Sequence, residues 1–171
     1  MSSAPDSQHG TKAFGIGFTL VAWVLALALA TWLFADWEAG RANPNRELSV
    51  RDGGLELKRN RQGHYLADGS INGHKVPFLL DTGATFVAIP EVVANRLGLE
   101  KMARSRSNTA AGEIDTWLTR LDEVRLGPIV VRNVPASINP YMAADDEILL
   151  GMAFLKHLEL VQRGDTLTLR Q

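Results

Sequence analysis

Apolar and polar positions divide the chain into one unbroken apolar block, a mixed stretch and a long region of short alternations. The block, Phe14 to Ala35, holds 22 uncharged residues dominated by Leu, Ala, Val, Phe and Trp. As a helix rising about 1.5 Å per residue it would span roughly 33 Å, enough to cross a bilayer core. Trp32, and Trp37 just beyond, suit an interfacial anchor. A buried core helix is the bland alternative, but no polar face interrupts the run. A cleavable signal peptide is the stronger rival, because Ala28-Leu29-Ala30 has the small-residue pattern of a cleavage site. Trp32-Leu33-Phe34 continues apolar past that point, where a processed chain usually turns polar. The expectation is therefore an uncleaved transmembrane helix over residues 14–35. Residues 1–13, polar and rich in Ser, Gly and Pro, are expected to be disordered.

Residues 36–54 mix charges with Gly40, Pro44, Gly53 and Gly54 and read as a linker. Alternation then takes over. Leu55-Glu56-Leu57-Lys58 alternates as a strand. His64 to Ile71 and His74 to Leu80 flank Asn72-Gly73, a hairpin signal because both turn residues tolerate positive φ. Phe86-Val87-Ala88-Ile89 is a further apolar run. Pro90 suits a helix start, with Glu91 to Leu97 following and Gly98 as its stop. Ser105 to Ala111 and Glu113 to Leu126 form a long hairpin turning near Ala110-Ala111-Gly112. Gly127-Pro128 breaks the chain, Ile129-Val130-Val131 resumes a strand, and Asn133 to Pro140 stays extended but interrupted at Pro135. Tyr141 to Asp146 reads as a loop, Ala153 to His157 as a short helix, and Leu167-Thr168-Leu169 as a last strand. Such frequent punctuation predicts a compact, mainly β domain over residues 55–171 with one or two short helices.

Composition narrows the function classes. A length of 171 residues suits one modest domain plus an appendage. The net charge of −1 and the lack of a basic cluster make no case for nucleic acid. With no cysteine, disulfides, zinc thiolate sites and a Cys nucleophile are excluded. His9, His64, His74 and His157 show no ligand spacing, so neither a metal nor a cofactor is expected. Asp145-Asp146-Glu147 reads as a solvated acidic loop, and Ser105 and Ser107 lie near no base that would make either a nucleophile.

The candidate chemistry lies in Val76-Pro77-Phe78-Leu79-Leu80-Asp81-Thr82-Gly83-Ala84-Thr85. An apolar strand delivers one carboxylate into a turn of small residues. Asp supplies a group that holds or releases a proton, Thr a neighbouring hydroxyl, and Gly a permissive backbone. Asp and Gly are also ordinary turn residues. The apolar runs on both sides are what set this turn apart.

Leu79 to Thr85 resembles the active-site motif of aspartic proteases of the single-lobe, retropepsin-like kind (clan AA). Glu147-Ile148-Leu149-Leu150-Gly151-Met152 is similar to the apolar-apolar-Gly segment behind the catalytic loop of that family. The order of parts agrees: hairpin, motif, short helix, flap-like hairpin, then Leu-Leu-Gly. The resemblance covers about residues 55–171 and implies a closed β-barrel, the acid-protease lobe. It implies Asp81 as the catalytic carboxylate, with Thr82, Gly83, Ala84 and Thr85 supporting the loop. Ala110, Ala111 and Gly112 would be a flap tip, and Leu149, Leu150 and Gly151 would back the loop and shield it from water. Trp117 in the flap is a candidate for lining a peptide groove, or else packs within the sheet.

Carboxylate hydrolysis needs one ionised group to take a proton from water and one protonated group to bond the scissile carbonyl. Two carboxyl groups at about 3 Å share a single proton. This chain carries one Asp-Thr-Gly. In this class of enzyme the second Asp81 must then come from a second copy across a two-fold axis, making a homodimer. The expected function is a membrane-tethered homodimeric aspartic endopeptidase acting on peptide or protein substrates. The alternative is a non-catalytic peptide-binding or scaffold domain that keeps the fold. Lys12 before the apolar block, against Arg41, Arg46 and Arg51 after it, favours a cytoplasmic domain by the positive-inside rule. The resemblance, to bacterial membrane-anchored proteins, implies the periplasm instead, and that is the expected location.

Overall fold

Asn72 and Gly73 take φ of +49° and +82°, and around them the hairpin expected from the sequence forms, its first strand starting at Leu66 rather than His64. Strand β3 (Leu66–Ile71) pairs antiparallel with β4 (His74–Leu80), from Leu66↔Leu79 to Ile71↔His74. This computed structural model describes residues 20–34, 43–109, 112–145 and 147–171. The chain divides into two units, Met1–Gly40 and Arg41–Gln171.

In the first unit residues 20–34 form helix α1, with every side chain exposed. Thr31 Oγ1 donates to Leu27 O at 2.8 Å, closing its polar group within the helix. Among the described residues no helix is long and apolar enough to cross a membrane. Residues 14–19 and 35 of the expected span lie outside the described residues, as do the expected disordered segment 1–13 and linker residues 36–42.

The second unit is mainly β. Its remaining strands are β1 (Ser49–Arg51), β2 (Gly54–Lys58), β5 (Val87–Pro90), β6 (Ala103–Thr109), β7 (Gly112–Leu126), β8 (Ile129–Asn139), β9 (Ile148–Leu150), β10 (Glu159–Arg163) and β11 (Thr166–Arg170). Two short helices complete it, α2 (Glu91–Arg96) and α3 (Met152–Leu155). One sheet runs β3-β4-β9-β5-β8-β7-β6, and β3 also pairs with β7 through Ser70↔Arg125 and Ile71↔Val124, closing the strands into a barrel. Asn72 lengthens that seam, because its N–H donates to Glu123 O and its Oδ1 accepts the Glu123 N–H. The other sheet runs β1-β2-β11-β10.

Alternation explains the packing. Leu55 and Leu57 of β2, and Leu167 and Leu169 of β11, point inward and join the barrel core around Phe78, Ile89, Leu121, Ile138, Leu150 and Phe154. Burying each such side chain contributes about 1.5–3 kcal/mol relative to exposure.

Several expectations need correction. Residues 43–54, read as linker, are built into the fold. β1 pairs with β2, and the buried Asn45 amide accepts from Lys58 N while donating to Lys58 O and Leu66 O. Polar composition concealed this, because the hydrogen bonds that bury Asn45 are non-local. Pro135 does not interrupt β8. It pairs with Arg120 of β7, while β5 joins β8 only from Ala136 onward, so the missing N–H breaks no ladder bond there. Helix α3 starts at Met152 and ends at Leu155, earlier than the expected 153–157. Strand β10, half-buried and exposed along its length, has no apolar run to announce it.

Candidate active site

Strand β4 ends beside β9, the two running parallel with Leu79↔Leu149 and Leu80↔Leu150. The next residue, Asp81, continues the ladder by donating its N–H to Leu150 O at 3.2 Å. The chain then turns sharply. Ala84 N–H bonds Asp81 O at 3.3 Å, and Gly83 N–H bonds the carboxylate Oδ1 of Asp81 at 2.8 Å. A methyl group at Gly83 would stand 3.1 Å from that same oxygen, so glycine gives the carboxylate room.

Gly151 holds the loop from behind. A Cβ there would lie 2.2 Å from Phe86 O and 2.5 Å from Ala84 O, distances only glycine allows. The first N–H groups of α3, which a helix leaves unpaired, bond the loop instead. Met152 N–H reaches Ala84 O and Ala153 N–H reaches Thr85 O, both at 2.8 Å. Two backbone segments distant in sequence are thereby locked edge to edge around one carboxyl group.

Asp81 is half-buried on the wall of a cavity of about 620 Å³. Gly83, Ala84, Thr85, Phe86, Ala88 and Leu149 line it beside Asp81, and Arg106, Ser107, Asn108, Thr116, Ser137 and Asn139 complete the lining. Asp81 is the one carboxylate among these lining residues. Arg106, the cation, is exposed and lies 3.5 Å from Glu113 and 3.9 Å from Asp115.

The structure sorts the residues singled out from the sequence. Asp81, Gly83, Ala84, Thr85 and Leu149 meet at the cavity, whereas Leu150 is fully buried in the core. Leu149 thus forms part of the wall as well as the backing. Thr82 is exposed, and its hydroxyl makes no hydrogen bond among the described residues. Of the flap tip, Gly112 is described, with φ +114°, while Ala110 and Ala111 lie outside the described residues. The hairpin beneath that tip reaches the site, since Ser107 of β6 and Thr116 of β7 line the cavity. Trp117 does not line it. Its ring packs against the core and carries Lys101 Nζ at 5.5 Å and the Arg104 guanidinium at 4.9 Å from its centroid. Among the described residues no cluster of His, Asp or Glu could hold a metal ion.

Phe86, Ala88, Thr116, Ser137 and Asn139 were missed by sequence reasoning. One signal was legible: Ser105 and Ser107 on β6, and Thr116 on β7, put small polar groups at the alternate, inward-facing positions of a hairpin whose intervening side chains are largely exposed.

Chemically, one loop presents one carboxylate, oriented by a backbone N–H and open to a cavity lined by hydrogen-bonding groups. In its ionised form it can take a proton from water. A second acid, needed to bond a carbonyl oxygen at the same point, is not among the lining residues of this chain.

Known proteins are similar to this chain in sequence and fold. The model of the gag-polyprotein putative aspartyl protease family matches residues 67–157, which contain the Asp81 loop and the Gly151 segment. The crystal structure of a retropepsin-like aspartic protease from Rickettsia conorii superposes with a TM-score of 0.57 at 26% identity, covering 72% of this chain and 93% of that one. An uncharacterized protein in the cobV 5'region of Sinorhizobium sp is 33% identical over 118 residues, 67% of this chain and 50% of the relative. The uncharacterized protein RP867 of Rickettsia prowazekii (strain Madrid E) is 29% identical over 93 residues, 53% of this chain and 36% of the relative. The matches thus span half or less of these curated relatives.

Proposed function

This chain belongs to the gag-polyprotein putative aspartyl protease family and has a retropepsin-like fold, and from that premise we propose that it is an aspartic endopeptidase working as a homodimer. Asp81 of each subunit would face its counterpart across a two-fold axis. One carboxylate, ionised, draws a proton from the attacking water. The other, protonated, bonds the carbonyl oxygen of the scissile peptide, and the proton between them serves both roles in turn. No covalent intermediate and no cofactor is needed.

The observation that carries this reading is the Asp81 loop itself. Its carboxylate is turned into the cavity by Gly83 N–H, and its backbone is braced by the Gly151 segment. The count of one carboxylate supports the dimer, because a single chain supplies only half of the acid–base pair. The exposed Thr82 hydroxyl supports it too, being free to bond the partner's loop. The Ala110-Ala111-Gly112 tip would close over an extended substrate through backbone groups.

The same proposal tethers the enzyme to a membrane by residues 14–35, whose uncharged length is its support. The catalytic domain is proposed to face the periplasm, on the strength of the resemblance to bacterial membrane-anchored proteins. Hydrolysis is tested by exposing the full-length chain, in detergent, to a peptide library with and without an aspartic-protease transition-state mimic. Cleavage that the mimic blocks is expected, and Asp81→Asn should reduce it to background with an unchanged circular dichroism spectrum. A folded Asp81→Asn protein that still cleaves at the wild-type rate would remove Asp81 from the mechanism.

A further inference from the structure

Small polar and apolar side chains adjoin in the Asp81 cavity, whose lining Thr85, Arg106 and Asn108 complete. Ala84, Phe86, Ala88 and Leu149 form the apolar side. Next to them along the same sheet stand Ser137 and Asn139 on β8, with Ser137 level with Ala88 of β5, then Thr116 on β7 and Ser107 on β6. Thr116 and Ser137 are only 2% and 5% exposed, so their hydroxyl groups are buried at a cost unless bonded. Strand β8 is buried on both faces here. Ala136 and Ile138 pack into the core while Ser137, between them, lines the cavity.

The hydrogen bonds fix the polarity of this wall. Thr116 Oγ1 donates its single proton to Ser105 O at 3.3 Å. The contact between Ser107 Oγ and Thr116 Oγ1, at 3.1 Å, must then use the proton of Ser107. Ser107 Oγ is left with lone pairs alone, an acceptor toward the cavity. Asn139 is oriented in the opposite sense. Its Oδ1 accepts Tyr141 N–H at 2.9 Å, which leaves the Nδ2 amide protons as donors. Ser137 Oγ makes no hydrogen bond among the described residues and can do either.

We propose that Ser107, Ser137 and Asn139, with Thr116 orienting Ser107, form a subsite for an uncharged hydrogen-bonding side chain of the substrate, a carboxamide above all. Gln or Asn offers an N–H to Ser107 Oγ and a carbonyl oxygen to Asn139 Nδ2. A carboxylate side chain has no proton for Ser107, and an aliphatic one covers the half-buried Ser107 and Asn139 without bonding either. Discrimination of this kind is strong because the site loses its own hydrogen bonds with the wrong ligand. The inference rests on the hydrolase reading only in taking the ligand to be an extended peptide running past Asp81.

Binding by the full-length Asp81→Asn protein in detergent separates the two ideas, since it needs no catalysis. The probes are extended octapeptides from a positional scan, carrying Gln, Glu or Met, side chains of similar size, at each position in turn. At one position Gln is expected to bind about fivefold more tightly than Glu, which loses the bond to Ser107, and up to about 30-fold more tightly than Met, which loses both, at about 1 kcal/mol per hydrogen bond. Ser107→Ala should bring both ratios toward unity, and Asn139→Ala the ratio of Gln to Met. Thr116→Val should do so specifically for Gln over Glu, because Ser107 then regains a proton to donate to a carboxylate. Loss of that one ratio, with the preference for Gln over Met kept, is a change a merely structural role for Thr116 would not produce. Met binding best at every position, or no octapeptide binding at all, overturns the subsite. Gln preference with no cleavage by the wild-type chain keeps the subsite and removes the hydrolase; cleavage with an apolar preference does the reverse.

Discussion

At Gly151 a missing side chain sets the distance between two backbones. The carbonyl oxygens of Ala84 and Phe86 approach so closely that a methyl group would overlap both, and neither is the far end of a flexible side chain. Gly151→Ala is therefore expected to push the Asp81 loop off its brace. It should lower stability by about 3 kcal/mol, the upper range for an overpacked site, and lower cleavage with it. Gly73→Ala is the contrasting case. Nothing lies within 4 Å of a Cβ at Gly73, and only its φ of +82° opposes a side chain. Its expected cost is about 1 kcal/mol, with cleavage per folded molecule unchanged. Urea denaturation of both variants, paired with cleavage rates, checks the contrast. Equal effects on activity would mean the Gly151 contact does not position the site.

At the scale of elements, β7 does two jobs along one strand. Its first half pairs with β6, from Thr109↔Gly112 to Ala103↔Leu118. Its second half is paired with β8 and buries Leu121, Val124 and Leu126 completely. β6 has a neighbour on one side only and exposes most of its side chains. Local opening follows buried contact, so the hairpin should open without the barrel. Hydrogen exchange is expected to be much faster at Ala103–Thr109 than at Leu121–Leu126. Equal protection of the two would argue against a flap that opens for substrate. The prolines obey a related rule. Pro77 faces Asp68 one residue before β9 joins at Phe78, and Pro135 faces Arg120 one residue before β5 joins at Ala136. Each lies where no partner strand yet asks for an N–H.

For the whole molecule the question is how many chains make one site. With one carboxylate per chain at the cavity, specific activity should rise with protein concentration through the dimerisation range and fall on dilution. Excess Asp81→Asn protein should poison the wild type by forming pairs with one carboxylate. A dilution series with mass measured at each point checks this, and a monomer of full activity would end the two-chain mechanism. Membrane confinement would raise the effective concentration of partners and favour the pair. Fractionation followed by alkaline carbonate washing should leave the full-length chain in the membrane. Release of a shortened chain beginning near Thr31 would instead mark a cleaved signal peptide.

Periodicity and turn chemistry by themselves determined the hairpin at Asn72-Gly73, the helix after Pro90, the long β6–β7 hairpin and the mainly β class. These depend on neighbours in sequence, where alternation and positive-φ residues act directly. The Asp81 loop was legible for the same reason, as an apolar strand running into a short turn of small residues. Tertiary structure alone decided that β4 lies between β3 and β9, and that β3 returns to β7 to close the barrel. It alone drew Asn45 out of an apparent linker and into the fold, and placed Ser107, Thr116, Ser137 and Asn139 around one cavity with Asp81. Pairing between distant strands is settled by which faces bury together, and a polar residue's role by which groups it meets there. A serine on a half-buried strand has the same local pattern whether it meets solvent, a neighbouring strand or a cavity, so only the folded chain distinguishes them.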